Sequence, residues 1–138
     1  MVMGTSLGGF LTLSLETELP RVALNPCMVP SVELPKLEPR PGHPKDVKPS
    51  QEMIETYKAF EEGVNHGGYN KSPKIIGLFA ENDELLGTKY KNSFKAYYDD
   101  ARKMPGGHHG NKEAIPAIVQ AIKDITGYPS AKASSRLG

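Results

Sequence analysis

Val2-Met3-Gly4-Thr5-Ser6-Leu7-Gly8-Gly9-Phe10 is the stretch from which the fold is read. Val2 and Met3 read as the end of a strand, and Gly4 to Gly8 sets a serine between two glycines, a spacing suited to a sharp strand-to-helix turn. Glycine at 4 and 8 lets such a turn approach neighbouring backbone without a Cβ clash and lifts Ser6 to a helix N-terminus. Leu7, Phe10, Leu11, Leu13 and Leu15 then make an apolar segment of the kind that packs beneath a central sheet as a buried helix. Strand, turn and helix in that order predict an α/β fold, a mostly parallel sheet flanked by helices.

Working outward, Arg21-Val22-Ala23-Leu24-Asn25 reads as a short buried strand stopped by Pro26. From Pro26 to Pro49 inclusive there are seven prolines, a density that predicts extended, irregular chain running over the surface, and residues 27–70 are expected to form a lid-like excursion. Within it Ser50 caps a helix whose Met53, Ile54, Tyr57 and Phe60 share a face and which Gly63 ends, placed over the ligand-binding end of the sheet. Residues 65–72 are read as a turn.

Lys74 to Ala80 is a near-continuous apolar run, the mark of a parallel strand covered on both faces. Glu81-Asn82-Asp83-Glu84 follows at its C-terminal end, where ligand-facing loops lie in an open α/β sheet. Tyr90, Phe94 and Tyr97 or Tyr98 predict a helix over 88–98, residues 100–104 a polar edge strand, and Gly106 to Gly110 a loop. The last helix carries Ile115, Ile118, Val119, Ile122 and Ile125 on one stripe, with Pro116 in its first turn and Gly127 at its end. One domain over 1–127 and a frayed tail over 128–138 are expected.

At 138 residues the chain has room for one core. Seventeen Lys and Arg against sixteen Asp and Glu leave a net charge of +1, spread without a basic stripe, so nucleic acid is not an expected partner. No apolar run approaches the roughly 18 residues needed to span a bilayer, and the start lacks the charged and apolar regions of a signal peptide. A single cysteine, Cys27, excludes an internal disulfide, and the expectation is a cytoplasmic protein that does not bind membranes. A mean hydropathy of −0.45, with 12 prolines and 14 glycines, predicts a modest core and much loop.

A serine hydroxyl becomes a nucleophile when a histidine takes its proton and a carboxylate fixes that histidine's tautomer, with backbone amides waiting for the oxyanion. Ser6 stands in the turn, with the Leu7 amide as one oxyanion donor. An acid follows the best strand and a histidine the next one, the chain order Ser, Asp, His of an α/β-hydrolase. Asp83 competes with Glu81 and Glu84 for the acid, and is preferred because Leu85 and Leu86 anchor the chain directly after it. His108 and His109 are adjacent, so only one of them can point at Ser6. A zinc site from His66, His108, His109 and Asp83 would need unrelated loops to converge without any recognised ligand spacing, so neither metal nor cofactor is expected. Cys27 reads as a buried small side chain.

G-T-S-L-G-G-F at residues 4–10, A-L-N-P at 23–26, G-L-F-A-E-N-D-E-L-L at 77–86 and G-G-H-H at 106–109 together resemble the YqiA-like family of small bacterial α/β-hydrolases, over residues 1 to about 126. The resemblance implies the C-terminal part of an α/β-hydrolase, truncated at the N-terminus relative to the family, whose members begin with further strands and a His-Gly oxyanion loop. It implies an esterase with Ser6 as nucleophile, Asp83 as acid and His109 as base, His109 filling the place after Gly-Gly-x, with His108 as the alternative base. A small ester is the expected substrate. The alternative is a catalytically silent fragment that oligomerises through the exposed edge of its first strand or complements a missing N-terminal half.

Overall fold

The computed structural model describes residues 1–43, 48–67 and 74–127; Pro44, the predicted turn beyond residue 67 and the tail lie outside them. Four strands, β1 (Val2–Thr5), β2 (Arg21–Leu24), β3 (Ile75–Ala80) and β4 (Asp100–Met104), form one parallel sheet in the order β1-β2-β3-β4. Among the described residues five α-helices accompany them: α1 (Leu7–Ser14), α2 (Pro30–Glu33), α3 (Gln51–Val64), α4 (Lys89–Tyr97) and α5 (Ile115–Thr126). Met3 pairs with Val22, Val22 with Ile76 and Ile76 with Asp100, so all four strands end on one rim.

Strand alternation divides the interior into two layers. Ala23, Ile75 and Phe79 face α1, α3 and α4 and pack with Phe10, Leu13, Val64, Phe94 and Tyr98. Val22, Ile76, Leu78 and Ala80 face the other way, onto Ala114, Ala121 and Ile125 around α5. All six residues of β3 are buried, as its unbroken apolar run requires.

The end of α1 is closed from a distance. Arg21 at the start of β2 is fully buried, and its guanidinium donates to the carbonyls of Leu13 at 2.9 Å, Thr12 at 3.3 Å and Thr17 at 2.8 Å. The Thr12 and Leu13 oxygens are among those left without partners where α1 stops, and a cation there also meets the negative end of the helix dipole.

Three local expectations are corrected. The proline-rich stretch is not wholly irregular: Pro30 starts α2 and Pro35 lies in the first turn of a 3-10 segment over Leu34–Lys36, positions where the missing N–H costs nothing. Ser50 does cap α3, accepting from Met53 N at 3.2 Å, but the helix passes Gly63 and ends at Asn65, whose side chain donates to Glu61 O and Met28 O. On that helix Met53 and Phe60 are exposed while Tyr57 packs edge-on to Phe10. On α5 the sheet-facing line is Ala114, Ile118, Ala121 and Ile125, leaving Ile115 and Val119 exposed, because the small alanines let the helix come close to the sheet.

Candidate active site

The turn after β1 is built around Gly4. A Cβ there would sit 2.2 Å from the Gly8 carbonyl oxygen and 2.5 Å from Thr12 Oγ1, so no side chain fits. Gly8 is different: a Cβ would meet nothing within 4 Å, which corrects the expectation that both glycines answer a clash. Ser6 itself sits at φ 55°, ψ −118°, a conformation that costs about 1–3 kcal/mol and persists only where its surroundings enforce it. Enforcement comes from both sides, with Ser6 N donating to Leu24 O at 2.9 Å and Ser6 O accepting from Phe10 N at 3.1 Å and Cys27 N at 3.0 Å.

Ser6 occupies the N-cap position of α1, yet its hydroxyl does not cap the helix. Ser6 Oγ lies 2.8 Å from His108 Nε2, and His108 Nδ1 lies 2.8 Å from Asp83 Oδ2. A carboxylate can only accept, so Nδ1 carries the proton and Nε2 accepts from the serine hydroxyl. The His108 and Asp83 side chains are only 2% and 4% exposed, so this chain of bonds is shielded from water. Asp83 is fixed by its other oxygen, which accepts from Leu85 N at 3.0 Å and Leu86 N at 2.7 Å. The N–H of Leu7, first in α1 and next in sequence to Ser6, meets no acceptor among the described residues.

His109, expected from the family resemblance to be the bridging imidazole, is exposed and reaches neither Ser6 nor Asp83. Its ring stands edge-on to that of His108 at 5.1 Å. The loop geometry decides between the two. His108 N donates to Glu84 Oε2 at 3.0 Å, and the His108 carbonyl accepts from Asn25 Nδ2 at 2.7 Å, which together turn residue 108 inward and residue 109 out.

Glu84, which the sequence offers only as a rival to Asp83 for the acid, and Asn25, which it offers only as the end of β2 and part of the A-L-N-P motif, therefore both belong to the site as residues that hold the histidine loop. Asn25, 2% exposed and at φ 41°, also accepts from Ala80 N at 2.7 Å, so one buried side chain ties the ends of β2 and β3 to the histidine loop. Its signal in the sequence is a small amide side chain ending a buried strand just before a proline, a residue tolerant of positive φ. Glu81 is exposed and takes no part in the contacts among Ser6, His108 and Asp83. His66 accompanies Glu62 O and Tyr97 instead, and among the described residues no group of three His, Cys, Asp or Glu side chains could hold a metal. Cys27 borders the site, but burial first, then the charges of Glu33, Glu61 and Asp83, push its thiol up to about 12, away from the thiolate form that acts as a nucleophile.

Ser6, His108, Cys27 and Glu84 line a cavity of about 210 Å³ whose other wall is Glu33, Leu34, Lys36 and Leu37 from α2 and the turn after it. Leu34 and Leu37 also border a second, more apolar groove of about 640 Å³ that runs from Leu7 past Met53 and Tyr57. No helix among the described residues is long and apolar enough to cross a membrane.

No family model and no curated protein matches the sequence. Solved structures do. A protein from Agrobacterium vitis S4 provisionally described as a hydrolase superposes with a TM-score of 0.69 at 16% identity, over 90% of this chain and 60% of its own. The esterase domain of a Rhodothermus marinus protein superposes with a TM-score of 0.57 at 14% identity, over 88% of this chain and 57% of its own. The chain thus spans about three-fifths of the length of these structures, and with them it shares an α/β fold of parallel strands flanked by helices.

Proposed function

We propose that this chain is a serine hydrolase that cleaves carboxylic esters through an acyl-Ser6 intermediate. The observation that carries the reading is the unbroken line Ser6 Oγ, His108 Nε2, His108 Nδ1, Asp83 Oδ2, with 2.8 Å at each contact. Its likeness in fold to a hydrolase and to an esterase domain supports the same reaction class. In the first half, Ser6 Oγ bonds to the ester carbonyl carbon as its proton passes to His108 Nε2, and the Leu7 N–H donates to the developing oxyanion. The C–O bond to the alcohol then breaks, and His108 returns the proton to the leaving oxygen. Water, deprotonated by the same nitrogen, attacks the acyl-serine, releases the acid and restores the hydroxyl. Asp83 stays ionised throughout, holding the tautomer and balancing the imidazolium.

A second reading, a catalytically silent partial hydrolase fold that associates through its edge, is favoured by one observation. Strand β1 pairs only with β2 among the described residues, and Met1, Met3, Leu11, Leu15 and Leu19 around it are exposed. Ser6→Ala separates the two. The esterase reading expects the wild-type chain to hydrolyse a short nitrophenyl ester and to be labelled by a fluorophosphonate, with both lost in the variant. An unlabelled wild-type chain that elutes as a multimer would instead establish the silent form.

A further inference from the structure

Glu33 is a charged residue in the wall of the active-site cavity that ester hydrolysis, as described above, does not use. It ends α2, its side chain is only 9% exposed, and it lines the cavity together with Ser6 and His108. Both of its short contacts fall on one oxygen: Tyr90 Oη donates to Oε1 at 2.6 Å and Lys89 Nζ donates to it at 2.9 Å, with Lys36 Nζ at 4.0 Å. Among the described residues no donor reaches Oε2. A carboxylate accepts about four hydrogen bonds, and the described residues supply two of them, both on Oε1.

Burial works to raise the Glu33 carboxyl's pKa, but the hydrogen bonds from Tyr90 and Lys89, with the charges of Lys89 and Lys36, outweigh it and hold the group below the usual carboxylate range. Burial and the bond to Glu33 push the Tyr90 hydroxyl up, so it remains a donor. Glu33 is therefore an anion near neutrality, and an acceptor only. Its charge is already met by two ammonium groups, so an added cation would approach like charge on the Lys36 and Lys89 side. A neutral donor has no such conflict.

We propose that Glu33 Oε2 is a specificity determinant that accepts a hydrogen bond from a neutral hydroxyl on the substrate, making the preferred substrates small hydroxylated esters. The inference rests on the serine-hydrolase reading. The cavity has room for such a group: at about 30 Å³ per water, 210 Å³ corresponds to about seven waters or a substituent of a few heavy atoms. Leu34, Leu37, Leu85 and Leu86 supply apolar contact for the carbon chain, so the hydroxyl acceptor is the selective element of that wall. A site built to bond a hydroxyl rejects the analogue lacking it strongly, because the acceptor is then dehydrated without a partner.

The test compares matched esters on the wild-type chain: nitrophenyl butyrate, 3-hydroxybutyrate, 3-methoxybutyrate and 3-aminobutyrate for the acyl side, and propyl, 2-hydroxyethyl and 2-methoxyethyl butyrate for the alcohol side. The expected result is a preference in kcat/KM of about ten- to a hundredfold for the hydroxyl member of one set over its methoxy and unsubstituted partners, the range of a hydrogen bond to a charged acceptor. The ammonium member should gain nothing comparable. In Glu33→Gln the preference should shrink towards one. Equal rates for hydroxyl and methoxy members in both sets, with fluorophosphonate labelling intact, would overturn the proposal and leave the hydrolase reading standing. A preference for the ammonium member would also overturn it. Absence of both turnover and labelling would remove the hydrolase reading, and this inference with it. The wild-type comparison decides even if the Glu33 variant fails to fold.

Discussion

The two walls of the cavity are held by different means. On the sheet side, Ser6, Asp83 and His108 stand on turns at the ends of β1, β3 and β4, and each turn is fixed by hydrogen bonds between strand ends. On the opposite side, α2 and the 3-10 turn after it hang from side-chain ties. Glu61 on α3 accepts from Ser31 N at 2.6 Å and from Ser31 Oγ at 2.8 Å, and Asn65 holds Met28 O. A wall made of parallel-sheet backbone moves only if the sheet does. A wall made of a few polar side chains can be changed with little disturbance to the fold. On the proposed reading, chemistry falls to the rigid wall and choice of substrate to the adjustable one.

The largest effect expected within the rigid wall separates two neighbours. His108→Ala should lower kcat by about 10⁴- to 10⁶-fold, the range for losing the base of a serine triad. His109→Ala should stay within about threefold of wild type, since its ring touches the first imidazole only at its edge. Steady-state kinetics on a nitrophenyl ester measures both. Comparable losses in the two variants would mean the loop turns over during catalysis and the fixed-wall contrast is wrong.

Asn25 comes next. Asn25→Ala removes the buried donor to His108 O and the acceptor for Ala80 N, leaving two unpaired backbone groups at about 1–3 kcal/mol each. The expected outcome is a lowered Tm and a kcat about ten- to a hundredfold down, with KM little changed, because the histidine loop loses its position while the far wall does not. Asn25→Asp is the sharper variant. It keeps the acceptor for Ala80 N but sets a carboxylate oxygen against the His108 carbonyl, so it should fail to rescue kcat even where it recovers stability. Full recovery of kcat would detach Asn25 from the histidine.

What the sequence disclosed follows the same division. The Gly4–Gly8 turn is legible because its constraint is local, five residues of covalent spacing, and the fold follows from apolar runs at strand spacing with helices between them. The choice between His108 and His109 was not legible. It depends on Glu84, 24 residues away, and on Asn25, 83 residues away, and no local pattern reports such contacts. On α5 the sequence pattern points rightly to Ile118 and Ile125 but to Ile115 and Ile122 in place of Ala114 and Ala121, because large aliphatics dominate an apolar stripe while these alanines are fully buried for being small. Glu33 was hidden in a stretch judged by its prolines, although Pro30 and Pro35 open helical turns there.

The smallest expected effect lies on the adjustable wall. Glu61→Ala cuts both ties to Ser31 and leaves the start of α2 held mainly by the Asn65 bond to Met28 O and by the Glu33 contacts with Tyr90 and Lys89. Neither Ser6, Asp83, His108 nor Asn25 bonds to Glu61, so kcat for nitrophenyl butyrate should move by less than about twofold. KM for the preferred hydroxylated ester should rise by about three- to tenfold, the signature of an interaction that binds ground state and transition state alike. The ratio matters more than either number. If Glu61→Ala lowered kcat as far as Asn25→Ala does, the two walls would form one cooperative unit, and substrate choice could not be altered on α2 without cost to the chemistry on the sheet.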